Sequence, residues 1–374
     1  MGNFFISDFS RIAPSYCMKQ EDILSWITKM HTLAEAKENN LSDENKEGFS
    51  KQLFFTLKKV GLGKDKIQQR GIHLEDLIKQ TPSDMQIYDL ETSSRGLGLT
   101  SKMNLFSIET GKIFETFYKI CPLPEHLIHV TCTGYVSPSP AQKIVSIKKS
   151  STTTVTHAYH MGCYGALPAL RIAKNSSSCD IVHTEFCSLH MNPTNHSLGQ
   201  LVVESLFADG FIKYSVSSDL DGKCKGFYAI ALLELIIPDS SDSMTWQCED
   251  WGFAMFLSQD VPQKIASSLI SYLQAIANKA NLTLSFLLET AIFAIHPGGP
   301  KIILQVQEIL KLSSFQVSHS KEVLKDFGNM SSATLPHIWQ KILEDTEVSQ
   351  DSYVVSMAFG PGLTISGAIF RKKG

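Results

Sequence analysis

Residues 126–187 constrain the fold more than any other stretch of this chain. His126-Leu127-Ile128-His129-Val130-Thr131-Cys132 reads as a buried strand ending at Thr133-Gly134, and Asp180–Cys187 reads as a second strand. Between them, Met161-Gly162-Cys163-Tyr164-Gly165 makes a glycine-tight turn, and an apolar helical pattern follows to Arg171. Strand, helix, strand implies a right-handed crossover and a mainly parallel sheet. The turn sets the Cys163 thiol at a helix N-terminus, where unpaired N–H groups and the macrodipole favour a thiolate.

The second half repeats the plan. Phe227–Ile237 is strand-like, Pro262–Lys279 is helical, and Phe286–Ile295 is an apolar run expected to end as a strand. His296 would then stand at a strand's C-terminal end, where open α/β sheets place their chemistry. A helix starts after Pro300, and Asn329 lies at a turn with Ser331 and Ser332 as candidate N-caps for Ala333–Leu343. Tyr353–Met357 and Leu363–Phe370 pair as a hairpin across Phe359-Gly360-Pro361-Gly362. Each half thus carries a chemically capable residue on a glycine turn before a helix, which suggests two similar halves, residues 1–222 and 223–374. Helical periodicity also covers Leu198–Phe207, and the N-terminal region alternates helical patterns with polar connectors, the most polar being Glu35–Lys51.

Composition narrows the class. The 374 residues are 43% hydrophobic and 19% charged with a net charge of −3, as in ordinary globular proteins. That charge gives no electrostatic case for nucleic acid or a membrane surface, and no apolar run reaches bilayer length. Without a basic region and long apolar core at the start, no secretory signal is expected. Eight scattered cysteines without CxxC pairs suggest buried, reduced thiols in a cytoplasmic protein and no metal site.

The motifs resemble the chalcone synthase-like, or type III polyketide synthase, family. The matching pieces are Gly162-Cys163 with its helix, Ser205-Leu206-Phe207-Ala208-Asp209-Gly210, His296-Pro297-Gly298-Gly299-Pro300, Gly328-Asn329-Met330-Ser331-Ser332-Ala333 and Phe359-Gly360-Pro361-Gly362-Leu363-Thr364. The resemblance implies a thiolase-like αβαβα layered sandwich of two similar halves, a homodimer, and no metal or tightly held cofactor. It assigns Cys163 as the acyl-accepting nucleophile, held by His296 as a thiolate–imidazolium pair, a setting that can depress a cysteine pKa to roughly 3–7.5. His296 and Asn329 would donate to the extender's thioester oxygen as malonyl decarboxylation builds charge there. Phe207 matches an aromatic gatekeeper, and Gly360 is placed to close the site.

Several positions depart from the plant pattern. The second gatekeeper falls at Met255, a more pliable wall suited to a flexible acyl chain. His190 stands where a small cavity threonine is usual, and Ser137 where a methionine reaches into the partner subunit's cavity; Ser331 is a further cavity candidate. The coenzyme A phosphate cluster is reduced to lysines, Lys58, Lys59 and Lys64, without a central arginine and its bidentate fork. The donors implied are therefore acyl-CoA and malonyl-CoA, or thioesters on an acidic acyl carrier protein drawn to the lysines.

Ordinary readings compete at each position. Cys121, Cys132, Cys179 and Cys248 read as inert packing, Asn329 could simply cap a helix, Phe207 could be core, and Glu185 could be structural or could orient the surroundings of Cys163. Three functions stay open. One is a ketosynthase extending an acyl starter on Cys163 with malonyl units and releasing a pyrone or resorcinol. Another joins two carrier-bound β-ketoacyl chains. The third is a non-catalytic acyl- or carrier-binding protein.

Overall fold

The strand at the chain's start, Phe4–Ile12, lies at the centre of the main sheet. The computed structural model describes residues 4–60, 62–218 and 224–374. The N-terminal part runs β1 (Phe4–Ile12), β2 (Tyr16–Lys19), α1 (Gln20–Asn39), α2 (Asp43–Val60), β3 (Gln69–Ile72), α3 (Leu99–Phe117) and β4 (His126–Thr131). Next come α4 (Pro140–Ile147), β5 (Thr154–Tyr159), α5 (Ala166–Ala173), β6 (Cys179–Glu185), α6 (Leu198–Leu206) and β7 (Gly210–Ser217). After the gap follow β8 (Gly226–Ile236), β9 (Met244–Glu249), β10 (Gly252–Leu257), α7 (Val261–Lys279), α8 (Leu284–Thr290) and β11 (Ile292–Ile295). The chain finishes with α9 (Pro300–Leu310), α10 (Ser318–Phe327), α11 (Thr334–Glu344), β12 (Tyr353–Gly360) and β13 (Thr364–Lys373).

Nine strands form one sheet in the order β11-β12-β13-β8-β1-β7-β6-β4-β5. At its centre β1 and β8 pair antiparallel, with Phe5 opposite Tyr228. Moving out from β1, the next steps are antiparallel to β7, antiparallel to β6 and parallel to β4. Moving out from β8, they are antiparallel to β13, antiparallel to β12 and parallel to β11. The same relations in the same order make the halves topological copies about the β1–β8 contact. β5, which pairs parallel with β4, has no counterpart beyond β11. The boundary drawn at 222/223 lies outside the described residues.

The expectation of a mainly parallel sheet is corrected: the sheet is mixed, because β1, β7, β8 and β13 pair antiparallel. The layers follow αβαβα. On one outside face, Phe114 and Phe117 of α3 and Ile144 of α4 pack with Leu127, Val182 and Phe211 of the first half's strands. In the middle, α5 and α11 share one core with strands of both halves. On the other outside face, α7, α8 and α9 pack on β11, β12 and β13. Full burial of Leu167 and Leu170 on α5 stabilises by about 1.5–3 kcal/mol each. Trp339 of α11 is buried without a polar penalty, because its indole N–H donates to Ser356 Oγ at 2.8 Å.

A cap lies beside this sandwich. Residues of α1, α2, α6 and β10 share a separate apolar core, including Trp26, Leu57, Leu201 and Phe253. The polar stretch Glu35–Lys51 is the solvated end of α1 and start of α2, as its composition suggests. The thiol expectation is corrected in part, since Cys17, Cys121, Cys224 and Cys248 are exposed, whereas Cys132, Cys163 and Cys179 are buried. No helix among the described residues is long and apolar enough to cross a membrane.

Candidate active site

Three chain segments converge where the two halves meet. Gly162–Tyr164 forms a single 3-10 turn ahead of α5, with Gly162 at φ +71°. A Cβ on Gly162 would stand 2.5 Å from Pro361 Cδ, so only glycine lets the β12–β13 hairpin close over this turn. Gly360 is likewise packed on the Tyr164 ring, where a Cβ would come within 2.1 Å. The hairpin therefore fixes the Cys163 turn from above.

Asn329 meets Cys163 from the other half. Its backbone pairs with Phe207 in an isolated parallel bridge: Asn329 N–H donates to Leu206 O at 3.1 Å and Ala208 N–H donates to Asn329 O at 2.8 Å. Its side-chain Oδ1 accepts the Ser331 N–H at 2.9 Å and the Thr334 hydroxyl at 3.4 Å. With the carbonyl pinned there, Nδ2 points the other way, and it is buried with no nitrogen or oxygen partner among the described residues. Asn329 thus serves the turn with one end of its amide and stabilises the Cys163 thiol with its side chain. The capping expectation for Ser331 and Ser332 is corrected, because α11 begins at Thr334 with no side-chain cap. Ser331 adopts φ +50°, and Ser332 bonds to Glu185 instead.

His296 follows β11 directly. β11 and β12 run parallel, and the His296 N–H donates to Met357 O at 2.8 Å, three residues before Gly360 packs on the Cys163 turn. The ring is 1% exposed, and neither nitrogen has a partner among the described residues. Buried polar nitrogens are normally paired; both His296 ring nitrogens and Asn329 Nδ2 lack such a partner among the described residues, as do Arg70 Nη2 and Lys102 Nζ.

Burial sets the resting protonation. Loss of solvent, followed by the nearby Glu185 charge, pushes the Cys163 thiol up to about 12, against stabilising contacts from Ser331 and Asn329. Burial pushes His296 down to about 3. The expected resting thiolate–imidazolium pair is therefore corrected to a neutral thiol with a neutral imidazole. A single 3-10 turn inside the protein offsets too little of the desolvation cost.

Glu185 ties the site together. Fully buried at the end of β6, it accepts from Cys132 N–H at 3.0 Å, Thr133 Oγ1 at 3.1 Å and Ser332 N–H at 3.2 Å, and from the Ser332 hydroxyl. Burial nonetheless raises its pKa to about 7. It links the ends of β4 and β6 in one half to the Asn329 turn in the other. Sequence reasoning left Glu185 undecided, because its partners are distant in the chain.

A cavity of about 630 Å³, its opening included, lies against Cys163. Phe207, His190, Met255 and Ser331 line it, as do Met191, Met244 and Trp246, giving a largely apolar wall. Two further cysteines, Cys132 and Cys187, also line it, Cys132 being buried as expected. His190 is fully used: its Nδ1 accepts from Phe253 N–H at 3.1 Å, so Nε2 carries the proton donated to Thr133 O at 2.8 Å. Burial and then Lys102 hold it neutral, at about 3. Ser137 is exposed and outside this cavity, as are Lys58, Lys59 and Lys64. Lys58 lies 4.7 Å above the Phe54 ring. Among the described residues, no cluster of three or more His, Cys, Asp or Glu side chains is placed to hold a metal.

The sequence profile of the chalcone and stilbene synthases, C-terminal domain, matches residues 230–373, which include His296 and Asn329. Residues 230–373 thus carry the chalcone and stilbene synthase C-terminal domain, and over about two thirds of its length the chain is similar to type III polyketide synthases. Probable polyketide synthase 1 of Dictyostelium discoideum is 28% identical over 260 residues, 66% of this chain but 8% of that protein's length. Type III polyketide synthase C of Arabidopsis thaliana is 26% identical over 258 residues, 66% of this chain and 67% of the relative. In structure, the chain is similar to the C-terminal type III polyketide synthase domain of Steely1, a type I/III hybrid from Dictyostelium. The TM-score is 0.82 at 21% identity, over the full length of both chains, which is a likeness of fold.

Proposed function

We propose that this protein is a ketosynthase that loads an acyl group onto Cys163 and extends it with malonyl units by decarboxylation. The observation that carries this reading is the cavity-lining Cys163 thiol with the Asn329 amide in contact with it, while the buried His296 ring follows the strand that pairs with the hairpin packed on the Cys163 turn. His296 and Asn329 themselves do not line the cavity. In loading, Cys163 Sγ attacks the donor thioester carbonyl and its proton passes to His296. The donor's C–S bond breaks, and the departing thiolate takes that proton. A malonyl thioester then places its carbonyl oxygen toward the His296 and Asn329 N–H groups. Its carboxylate leaves as carbon dioxide, and the electron pair becomes an enolate those donors stabilise. The enolate carbon attacks the Cys163 thioester, and the cysteine sulfur leaves as a thiolate.

The flexible apolar wall of Met191, Met244 and Met255 favours an aliphatic acyl starter over a rigid aromatic one. Product release as a pyrone or resorcinol, cytoplasmic location and a homodimer belong to the same proposal, as does a division of the chain into Cys-bearing and His/Asn-bearing halves. Carrier-borne thioesters are a second reading of the donor. It is favoured by the exposed lysines of α2 without a central arginine, and by the hybrid architecture of the Dictyostelium relative. The test is release of labelled carbon dioxide from carboxyl-labelled malonyl-CoA with a panel of acyl-CoA and acyl-carrier starters. Release that depends on a starter and on Cys163 supports extension; starter consumption without release contradicts it.

A further inference from the structure

A chain of four titratable side chains, the inner two buried, runs from the cavity wall to the surface, and the mechanism above does not use it. Glu204 of α6 lines the cavity and is 3% exposed. Its Oε2 lies 2.7 Å from His31 Nε2. His31 Nδ1 lies 2.9 Å from His196 Nδ1, and His196 Nε2 lies 3.0 Å from Glu35 Oε2 at the half-exposed rim. The other Glu204 oxygen accepts from Asn192 N–H and Gln200 Nε2, each at 2.8 Å, which holds the carboxylate in place.

Counting protons along this chain gives it a direction. Two imidazoles between two carboxylates need three N–H protons to make all three hydrogen bonds, one more than two neutral rings carry. The extra proton can sit on His31 or on His196, and every bond is made either way. Transfer across the 2.9 Å Nδ1–Nδ1 contact moves a positive charge between the cavity end and the solvent end. Around Glu204 the charged groups are Arg70, whose guanidinium donates to Glu204 O, and Lys102, which feels the Glu204 charge. Tyr88 is also in its field, and Phe49 packs edge-on to His196.

The reaction needs such a path. Acyl-S-Cys163 plus malonyl thioester anion gives carbon dioxide, the extended thioester and a Cys163 thiolate, so restoring the thiol consumes one proton per extension. Loading consumes none. Resting on the ketosynthase reading, we propose that Glu35, His196, His31 and Glu204 form a proton relay that supplies the cavity from solvent during extension.

The test uses the full chain and His196→Ala, with His31→Gln as a second variant. At pH 8 with an acyl-CoA starter and malonyl-CoA, extension is expected to fall at least fivefold in His196→Ala. Acylation of Cys163 without malonyl-CoA stays within twofold, and added imidazole restores at least half of the lost rate. Equal losses in both steps, no loss, or no rescue by imidazole overturns the relay. Histidine ¹⁵N resonances provide a readout that does not depend on the reaction. In the wild type, the ring resonances of both His31 and His196 should move when Glu204 is replaced by Gln; a change confined to His31 overturns the relay. If both move but the wild type forms no acyl-Cys163 and releases no carbon dioxide, the ketosynthase reading has failed while the proton pair stands. The catalytic role proposed for the relay is then overturned with it.

Discussion

The two halves place different chemistry at equivalent strand ends. Where β4 ends, Cys132 has its N–H held by Glu185 and its carbonyl accepting the Trp246 indole N–H at 2.7 Å. Where β11 ends in the same position of the other half, neither ring nitrogen of His296 has a partner among the described residues. The turns before α5 and α11 differ in the same sense, one presenting a thiol and the other an amide that stabilises it. Duplicated topology supplies two similar scaffolds, and the asymmetry in hydrogen bonding decides which atoms are left for a substrate. Satisfied groups hold the frame, and vacant groups are available for chemistry.

That contrast predicts its own ranking of damage. Replacing Asn329 by Ala should lower malonyl decarboxylation by about 100- to 1000-fold, the usual loss for one such donor. Steady-state carbon dioxide release measures it, and a loss under tenfold would remove Asn329 from the oxyanion role. Gly162→Ala should destabilise the fold by about 2 kcal/mol or more, from the positive φ and the Pro361 overlap together. Urea unfolding reads this, and an unchanged midpoint would mean the hairpin yields easily.

Glu185 sharpens the comparison through pH. Its folded pKa of about 7 lies above the ordinary 4.5, so the folded state holds its proton longer than the unfolded state does. Stability from this group is therefore present below about pH 4.5 and is lost as pH rises to about 7. Glu185→Gln should flatten that component of a stability–pH curve; an identical curve would place the titration elsewhere. The smallest effect belongs to Cys132→Ala. The hydrogen bonds of Cys132 to Glu185 and Trp246 are made by its backbone, so carbon dioxide release should stay within about threefold of wild type. A loss comparable to that of Asn329→Ala would break the contrast between the two strand ends.

The sequence made some of this plain because the relevant signals are local. The Cys163 turn, the strand before His296 and the hairpin across Gly360 each combine a short periodic run with glycine or proline punctuation. β1 escaped notice because Phe4–Ser7 is buried on both faces and shows no alternation. β5 escaped because Thr154–Tyr159 is a polar edge strand. The neutral thiol could not be foreseen, since burial is a property of the packed molecule. Nor could the convergence of His31, His196 and Glu204, which are joined only when α1 docks against α6 and the segment before it.

Intact-mass spectrometry of wild type and Cys163→Ala, offered acyl-CoA and acyl-carrier thioesters, tests the central claim most directly. The account predicts a mass gain of one acyl group on the wild type and none on Cys163→Ala. A gain that persists in Cys163→Ala, or no gain on the wild type from any donor, would contradict it.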